Sequence, residues 1–284
     1  MAAQLHAPVP AACVWRPAPL DPGAARITVL DVGQGLAVVV ETRRHALVYD
    51  AGPSFRTGSD TGQLVVAPFL KSRGIRVLDQ LAVSHDDDDH KGGAGSVLAL
   101  VPTRVLTLGP SLPASFAADA GATARAACRR GAAWNWDGVD FIWLHPGGHR
   151  FERDNDSSCV LLVRAGSHTA LLTGDIEAEA EHELIAAGDV PRVDIVVVPH
   201  HGSRTSSTAG FVAATRPRWA VYAVGHRNRW GFTLPRVAER WEQTGARGLL
   251  TSRSGAITFE LIPGQELASP VEWRRIARRP WRDP

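Results

Sequence analysis

Ser84-His85-Asp86-Asp87-Asp88-Asp89-His90-Lys91-Gly92-Gly93 sets two histidines and four aspartates between an apolar run, Leu81-Ala82-Val83, and a glycine pair. The order fits a strand end feeding a loop. If His85, Asp87, Asp89 and His90 turn toward one point, they present two imidazoles and two carboxylates to divalent metal. A run of charge more often only faces water. Histidines bracketing the acids at both ends make solubility a poor account of the whole stretch.

Outward from this loop, strand and helix patterns alternate. Runs at 27–31, 36–42 and 45–50 predict an antiparallel meander. Helical spacing over 64–73, with Gly74 as its C-cap, precedes a strand over 78–83 that delivers the His/Asp loop. A helix over 93–100 and a strand over 104–108 follow. The Ala-, Pro- and Gly-rich region 109–130 reads as loop and helix, and Trp134, Trp136 and Phe141 as an aromatic hairpin whose tryptophans cover core or edge rather than stack bases. Strands at 159–164 and 169–172 lead to Thr173-Gly174-Asp175, then a Glu- and Ala-rich helix over 177–187. The strand over 193–198 ends in Pro199-His200-His201-Gly202-Ser203, and helices over 209–214 and 235–244 alternate with strands over 219–224 and 256–261. Ligand-type residues end strands in both halves, His85 in the first, Asp175 and His200 in the second. That predicts a four-layer αββα sandwich with its ligands at one rim, in a single domain over 27–262.

At 284 residues, 44% hydrophobic and 21% charged, the chain has an ordinary globular composition and ample length for a core. A formal charge of +2 does not by itself imply nucleic acid. The stretch 263–284 reads as a basic tail, with Arg274, Arg275, Arg278, Arg279 and Arg282. Proline-rich residues 1–26 read as a linker or cut edge, lacking a secretion signal's basic start and apolar run. No apolar run approaches the ~20 residues that span a bilayer, so the isolated chain is expected to be soluble. Cys13, Cys128 and Cys159 fit no zinc-finger or redox spacing. Cys128 and Cys159 suit either a disulfide in an oxidising compartment or two buried thiols in a reducing one.

Together the candidates suffice for two metals. His85 and Asp87 would face one ion, Asp89 and His90 the other, with Asp175 bridging and His200 completing the second. Two ions about 3.5–4 Å apart stabilise both attacking and leaving oxygens in hydrolysis, which makes a metal-dependent hydrolase the leading class. Asp89, Asp175 and His200 are the catalytic candidates. His201, Ser203, Arg204, Arg227 and Arg229 are placed to contact phosphate, although each arginine could instead pair with the Asp run.

His85-x-Asp87-x-Asp89-His90 followed by Gly92-Gly93 resembles the metal motif of the metallo-β-lactamase superfamily, with Asp87 at its usual second histidine. Joined to Asp31-Val32-Gly33-Gln34-Gly35, Tyr49-Asp50-Ala51-Gly52, Asn155-Asp156-Ser157-Ser158-Cys159-Val160-Leu161, Leu172-Thr173-Gly174-Asp175-Ile176-Glu177 and Pro199-His200-His201-Gly202-Ser203-Arg204-Thr205-Ser206-Ser207, it is similar to the C-terminal domain of the ComEC competence proteins. The resemblance covers about 27–261. It implies a nuclease domain of a DNA-uptake channel, degrading the strand that does not enter during natural transformation. It also implies DNA, the membrane channel part of a longer protein and other DNA-uptake proteins as partners. The domain would lie on the periplasmic side of the inner membrane, where a Cys128–Cys159 disulfide is expected.

The sequence departs from the family pattern at Leu36, where many relatives carry an acid, and at Phe232, where a histidine is frequent. Asn155 or Ser158 occupies the region of a third histidine, as possible weak ligands of the first site. Oxygen-rich ligation favours Mn²⁺, with Zn²⁺ possible, as the two divalent ions. The rival readings are a small-ester or lactone hydrolase and a non-catalytic DNA-binding domain.

Overall fold

The computed structural model describes residues 18–277 except 114, 117–120 and 150. Cys13, residues 1–17 of the expected linker, and Arg278, Arg279 and Arg282 lie outside them. The strands are β1 (Ala25–Val29), β2 (Val38–Glu41), β3 (Ala46–Tyr49), β4 (Leu78–Val83), β5 (Thr103–Leu108), β6 (Ala122–Ala127), β7 (Ala133–Trp136), β8 (Val139–His145), β9 (Val160–Ala165), β10 (His168–Leu172), β11 (Ile195–Val197), β12 (Trp219–Tyr222), β13 (Arg247–Leu250), β14 (Ile257–Leu261) and β15 (Val271–Glu272). They form an eight-stranded sheet, β15-β14-β1-β2-β3-β4-β5-β6, and a seven-stranded sheet, β13-β12-β11-β10-β9-β8-β7.

Period-two side-chain alternation divides the core into three layers. From β2 and β3, Val38, Val40, Leu47 and Tyr49 face the other sheet, meeting Phe141, Leu161, Val163 and Val197. Their neighbours Val39 and Val48, with Leu81 and Val83 of β4, pack under α1 (Ala67–Ser72) and α3 (Ala94–Leu100), against Leu70, Val97 and Leu98. On the far side Val160, Leu162 and Val196 meet α4 (Ala178–Ala186), α5 (Ala209–Thr215) and α6 (Pro235–Glu242) through Leu184, Phe211 and Trp241. Strands covered on both faces read as continuous apolar runs, as all four buried residues of β3 illustrate. The result is the αββα sandwich.

β1 to β3 form the antiparallel meander, whereas β3 to β6 and β10 to β13 run parallel within their sheets. Parallel strands need crossovers, so every carboxyl end in such a set opens on the same edge. Asp50 follows β3, His85 follows β4, Asp175 follows β10 and His201 follows β11.

Some elements differ from the sequence reading. Within 109–130, read as loop and helix, β6 pairs parallel with β5; tertiary pairing overrides the helix preference of its alanines. β13, absent from the sequence reading, joins β12. The stretch read as a tail is partly built into the fold beyond residue 262: β15 pairs with β14, Leu267 is buried in the inter-sheet core, and Arg274 Nη2 donates to Asp31 Oδ2 at 2.6 Å. Trp134 stacks on Phe141 at 5.1 Å and packs against that core as cover. Among the described residues no helix is long and apolar enough to cross a membrane.

Candidate metal centre

After β4 the chain turns at Ser84 and His85, both fully buried, into the single helical turn α2 (Asp88–Lys91). Gly93 lets this turn sit on the segment after β3, because a Cβ there would lie 2.3 Å from the Ala51 carbonyl oxygen. Gly35, at φ +139°, allows an equally close approach: its Cβ would lie 2.3 Å from the Asp89 carbonyl oxygen, which accepts from Leu36 N at 3.0 Å. Together these contacts position α2. His90 Nδ1 then lies 2.8 Å from Asp50 Oδ2, whose carboxylate also accepts from Ser84 N and Oγ at 2.7 and 2.8 Å. With Nδ1 so engaged, His90 Nε2 points at Asp175 Oδ1, 3.0 Å away.

Asp175 is held from the second sheet, its N–H donating to Ser158 Oγ at 3.1 Å. Beyond β11, His200 and His201 both adopt left-handed backbone, φ 47° and 54°, and their side chains part. His201 Nε2 lies 3.2 Å from Asp89 Oδ2, 3.3 Å from His90 Nε2 and 3.6 Å from Asp175 Oδ2. His200 instead sets Nδ1 3.1 Å from Glu177 Oε1, leaving Nε2 3.8 Å from Asp175 Oδ2. His201 therefore sits among the acids, in the place the sequence reading gave to His200, and His200 stands at the rim.

Two groups of ligand atoms result: His85, His90 and Asp175, and Asp89, His90 and His201, the atoms of each lying within 4.8 Å of one another. Asp87, half exposed, approaches His85 Nε2 at 3.4 Å. Among the described residues, buried His85 Nε2 has only the Asp87 carboxylate near it, and buried Asp175 Oδ1 only His90 Nε2, each pair formed by two ligand-type atoms. Burial alone would drive the His90 imidazole neutral, but the Asp175 and Asp50 carboxylates hold its pKa well above the ordinary value. Burial likewise works against ionised Asp175, yet the charges of His90 and His201 keep it well below the usual carboxylate range. Buried imidazole and carboxylate atoms that converge on one another in this way fit divalent cations, and the mixed nitrogen and oxygen donors suit transition ions.

The remaining candidates surround this cluster. Ser158 is spent on the Asp175 backbone, and Asn155 donates to Glu177 Oε1 at 3.4 Å, so neither stands among the ligand atoms. Ser203 is buried against Thr205, while Arg204, Arg227 and Arg229 are exposed. The Asp run is engaged elsewhere: Asp86 pairs with Lys91, Asp88 accepts from Ser54 and Asp89 meets His201. The Cys128 and Cys159 sulfurs are bonded, with a Cα separation of 5.9 Å. Cys159 N donates to the Ser84 carbonyl and its own carbonyl accepts from Tyr49, so this crosslink lies directly behind His85. Asp50 and Glu177, whose carboxylates hold His90 and His200, are not named as site residues in the sequence reading. Both lie within motifs that carry the family resemblance, Tyr49-Asp50-Ala51-Gly52 and Leu172-Thr173-Gly174-Asp175-Ile176-Glu177.

Fold and site define a class. The model of the metallo-β-lactamase superfamily matches residues 30–226, and the chain belongs to that superfamily. Its sequence relatives are the ComEC-type competence proteins that its motifs resemble. It is 38% identical over 256 residues to Recombination protein 2 of Haemophilus influenzae, covering 90% of this chain and 31% of that protein. It is 36% identical over 251 residues to Competence protein ComA of Neisseria gonorrhoeae, covering 88% of this chain and 34% of that protein. The chain thus spans about a third of the length of these relatives. Among solved structures it shares the fold of YhfI from Bacillus subtilis, with TM-score 0.53, 12% identity and coverage of 84% of this chain and 100% of that one. It also shares that of CmlA, a diiron β-hydroxylase from Streptomyces venezuelae, with TM-score 0.56, 15% identity and coverage of 87% and 55%.

Proposed function

We propose that this chain is a nuclease domain that hydrolyses DNA phosphodiesters with two divalent ions, acting in DNA uptake on the strand that does not enter the cell. The observation that carries it is the buried cluster of His85, Asp89, His90, Asp175 and His201, whose two groups of ligand atoms share His90; the exposed Arg204 follows His201 by three residues, and the exposed Arg227 and Arg229 belong to the loop whose Phe232 faces the His201 ring. His85, Asp87 and Asp175 would hold one ion, and Asp89, His90, His201 and Asp175 the other. Bound there, the ions supply an activated water and neutralise charge on the phosphate oxygens. His200, anchored through Nδ1 by Glu177, keeps Nε2 at the rim, where it can deliver a proton to the departing oxygen. Arg204, Arg227 and Arg229 are the candidates for charge-assisted contacts to backbone phosphate.

The competence proteins among the relatives support the DNA-uptake setting. In it the partners are DNA, the membrane channel part of the longer protein and other DNA-uptake proteins, and the domain faces the periplasm. Digestion of end-labelled single- and double-stranded DNA across a metal series tests the activity, with Asp175→Asn as control. The amide is nearly isosteric but lacks the charge that holds two cations together. Cleavage by wild type and none by Asp175→Asn, at equal circular dichroism, is expected; cleavage by both at one rate would remove Asp175 from the mechanism.

A further inference from the structure

A graded row of flat groups leads from the metal centre to solvent. The His201 ring faces Phe232 at a centroid distance of 6.4 Å and an interplanar angle of 25°. Phe232 faces Trp230 at 6.5 Å and 13°, and the Arg229 guanidinium lies 4.1 Å over the Trp230 ring. Trp230 is 49% exposed, whereas a tryptophan is ordinarily a well-buried residue. Nothing in the hydrophobic layers requires it there.

The loop that presents it is built by one side chain. Asn228 Oδ1 accepts from Phe232 N at 2.8 Å, its amide donates to the Gly225 carbonyl at 3.3 Å and to the Phe232 carbonyl, and Gly231 N donates to the Asn228 carbonyl at 3.1 Å. Thr233 Oγ1 donates to the His201 carbonyl at 3.3 Å, tying the loop to the metal-facing histidine. Gly225 N donates to Gln34 Oε1 at 3.3 Å, which ties the other end to the loop after β1. A half-exposed indole is thus carried on a braced loop, one ring removed from the ring that abuts His201.

We infer that Trp230 is a base-stacking platform, which holds the base of a nucleotide flanking the scissile phosphate and so selects single-stranded DNA at this centre. Aromatic faces beside cationic side chains are the recurrent means of holding single strands, and they tolerate sequence because every base has a π-face. In a duplex both faces of an internal base are covered by its neighbours, so only an unstacked base offers one to Trp230. The Arg229 guanidinium now lies over the ring; a base takes its place on that face, and the displaced guanidinium supplies the charge for the adjoining phosphate. The inference rests on the nuclease reading for the identity of the ligand and adds the residue that reads its strandedness.

The test is binding of a fluorescein-labelled, cleavage-resistant phosphorothioate oligonucleotide in Mn²⁺, followed by anisotropy, with cleavage of the unmodified strand measured alongside. Trp230→Ala should weaken binding about 5- to 100-fold, the range that loss of one stacked base implies, with Trp230→Phe retaining most of it. An oligonucleotide of abasic residues should bind wild type and Trp230→Ala alike, and a blunt duplex should bind wild type more weakly than the single strand. Wild-type affinity in Trp230→Ala, or abasic strands bound as tightly as base-bearing ones, overturns the platform while leaving the nuclease reading intact. Binding with the expected Trp230 dependence but no cleavage in any metal overturns the nuclease reading and leaves the platform standing. A wild-type protein that binds no DNA overturns both.

Discussion

Asp50 Oδ2 lies 2.8 Å from Nδ1 of His90, a histidine 40 residues further along the chain and fully buried. The carboxylate fixes which imidazole nitrogen is left for metal, and Ser84 N and Oγ fix the carboxylate in turn. Partners of this kind orient a ligand and raise its basicity. Asp50→Ala should therefore lower divalent-metal affinity about 10- to 100-fold. Isothermal titration with metal-stripped protein measures it, and unchanged affinity would show that packing alone orients His90.

The parting of His200 and His201 predicts opposite phenotypes from adjacent residues. His201→Ala should lose metal, because its Nε2 lies with Asp89 and Asp175. His200→Ala should retain metal content and lose turnover by about 10²- to 10⁴-fold, as expected when a positioned proton donor is removed. Elemental analysis beside steady-state kinetics separates them, and metal loss in His200→Ala alone would reverse the assignment.

Asp87 stands where the superfamily motif has a histidine, and Asn155 and Ser158 lie outside the cluster. His85 is then the one nitrogen proposed for the first ion, the rest being carboxylate and water. Such sites suit higher-coordinate ions, so Mn²⁺ should support faster DNA cleavage than Zn²⁺, although Zn²⁺ binds more tightly in the usual order of affinity. Stripped protein reloaded with each ion decides it, and turnover with Zn²⁺ that matches or exceeds Mn²⁺ would count against oxygen-rich ligation.

Glu181, in α4, accepts from Ser207 N and Thr208 N at 2.5 and 2.7 Å. Burial pushes its pKa up from 4.5 to about 7 in spite of these bonds. The folded state thus holds a proton that the unfolded chain releases above about pH 4.5. The associated stability is fully present below that pH and is lost as pH rises through about 7, a change of about 3 kcal/mol. Urea unfolding from pH 4.5 to 8 should show this decline in wild type, and Glu181→Gln, uncharged throughout, should flatten it. Parallel profiles would mean that Glu181 is already ionised across the range.

The Cys128–Cys159 bond closes a separation of 31 residues. Chain entropy assigns such a loop about 3–4 kcal/mol, so Cys128→Ser with Cys159→Ser should lower unfolding free energy by that order. Because the bond lies behind Ser84, metal affinity should fall with it. Mass spectrometry of periplasmically expressed protein should find no free thiol at either cysteine, and finding both free would contradict the bond.

Much of the architecture is legible in the sequence because it is local. The apolar runs of the amino-terminal strands and of β4 reflect strands covered on both faces, and the helical spacing over 64–73 reflects one face meeting one core layer. A ligand-type side chain directly after an apolar run marks a strand's carboxyl end. Residue type and order alone therefore mark His85, Asp87, Asp89 and His90, in the loop after β4, as candidate metal ligands. β6 carries no such mark, since an alanine-rich edge strand has no period and exists only because β5 offers it a partner.

What only the tertiary structure decided are relationships between residues far apart or nearly identical. His200 and His201 are adjacent and chemically the same, and their roles separate because left-handed backbone at both sends one toward Glu177 and the other toward Asp89. Asp50 and His90 meet because β3 and β4 are parallel neighbours whose carboxyl ends open on one edge. Trp230 looks like any loop tryptophan until the Asn228 turn sets it in line with Phe232 and His201. Pattern along a chain reports which face is buried, whereas the partner of a polar or aromatic group is set by where the sheets bring strand ends together.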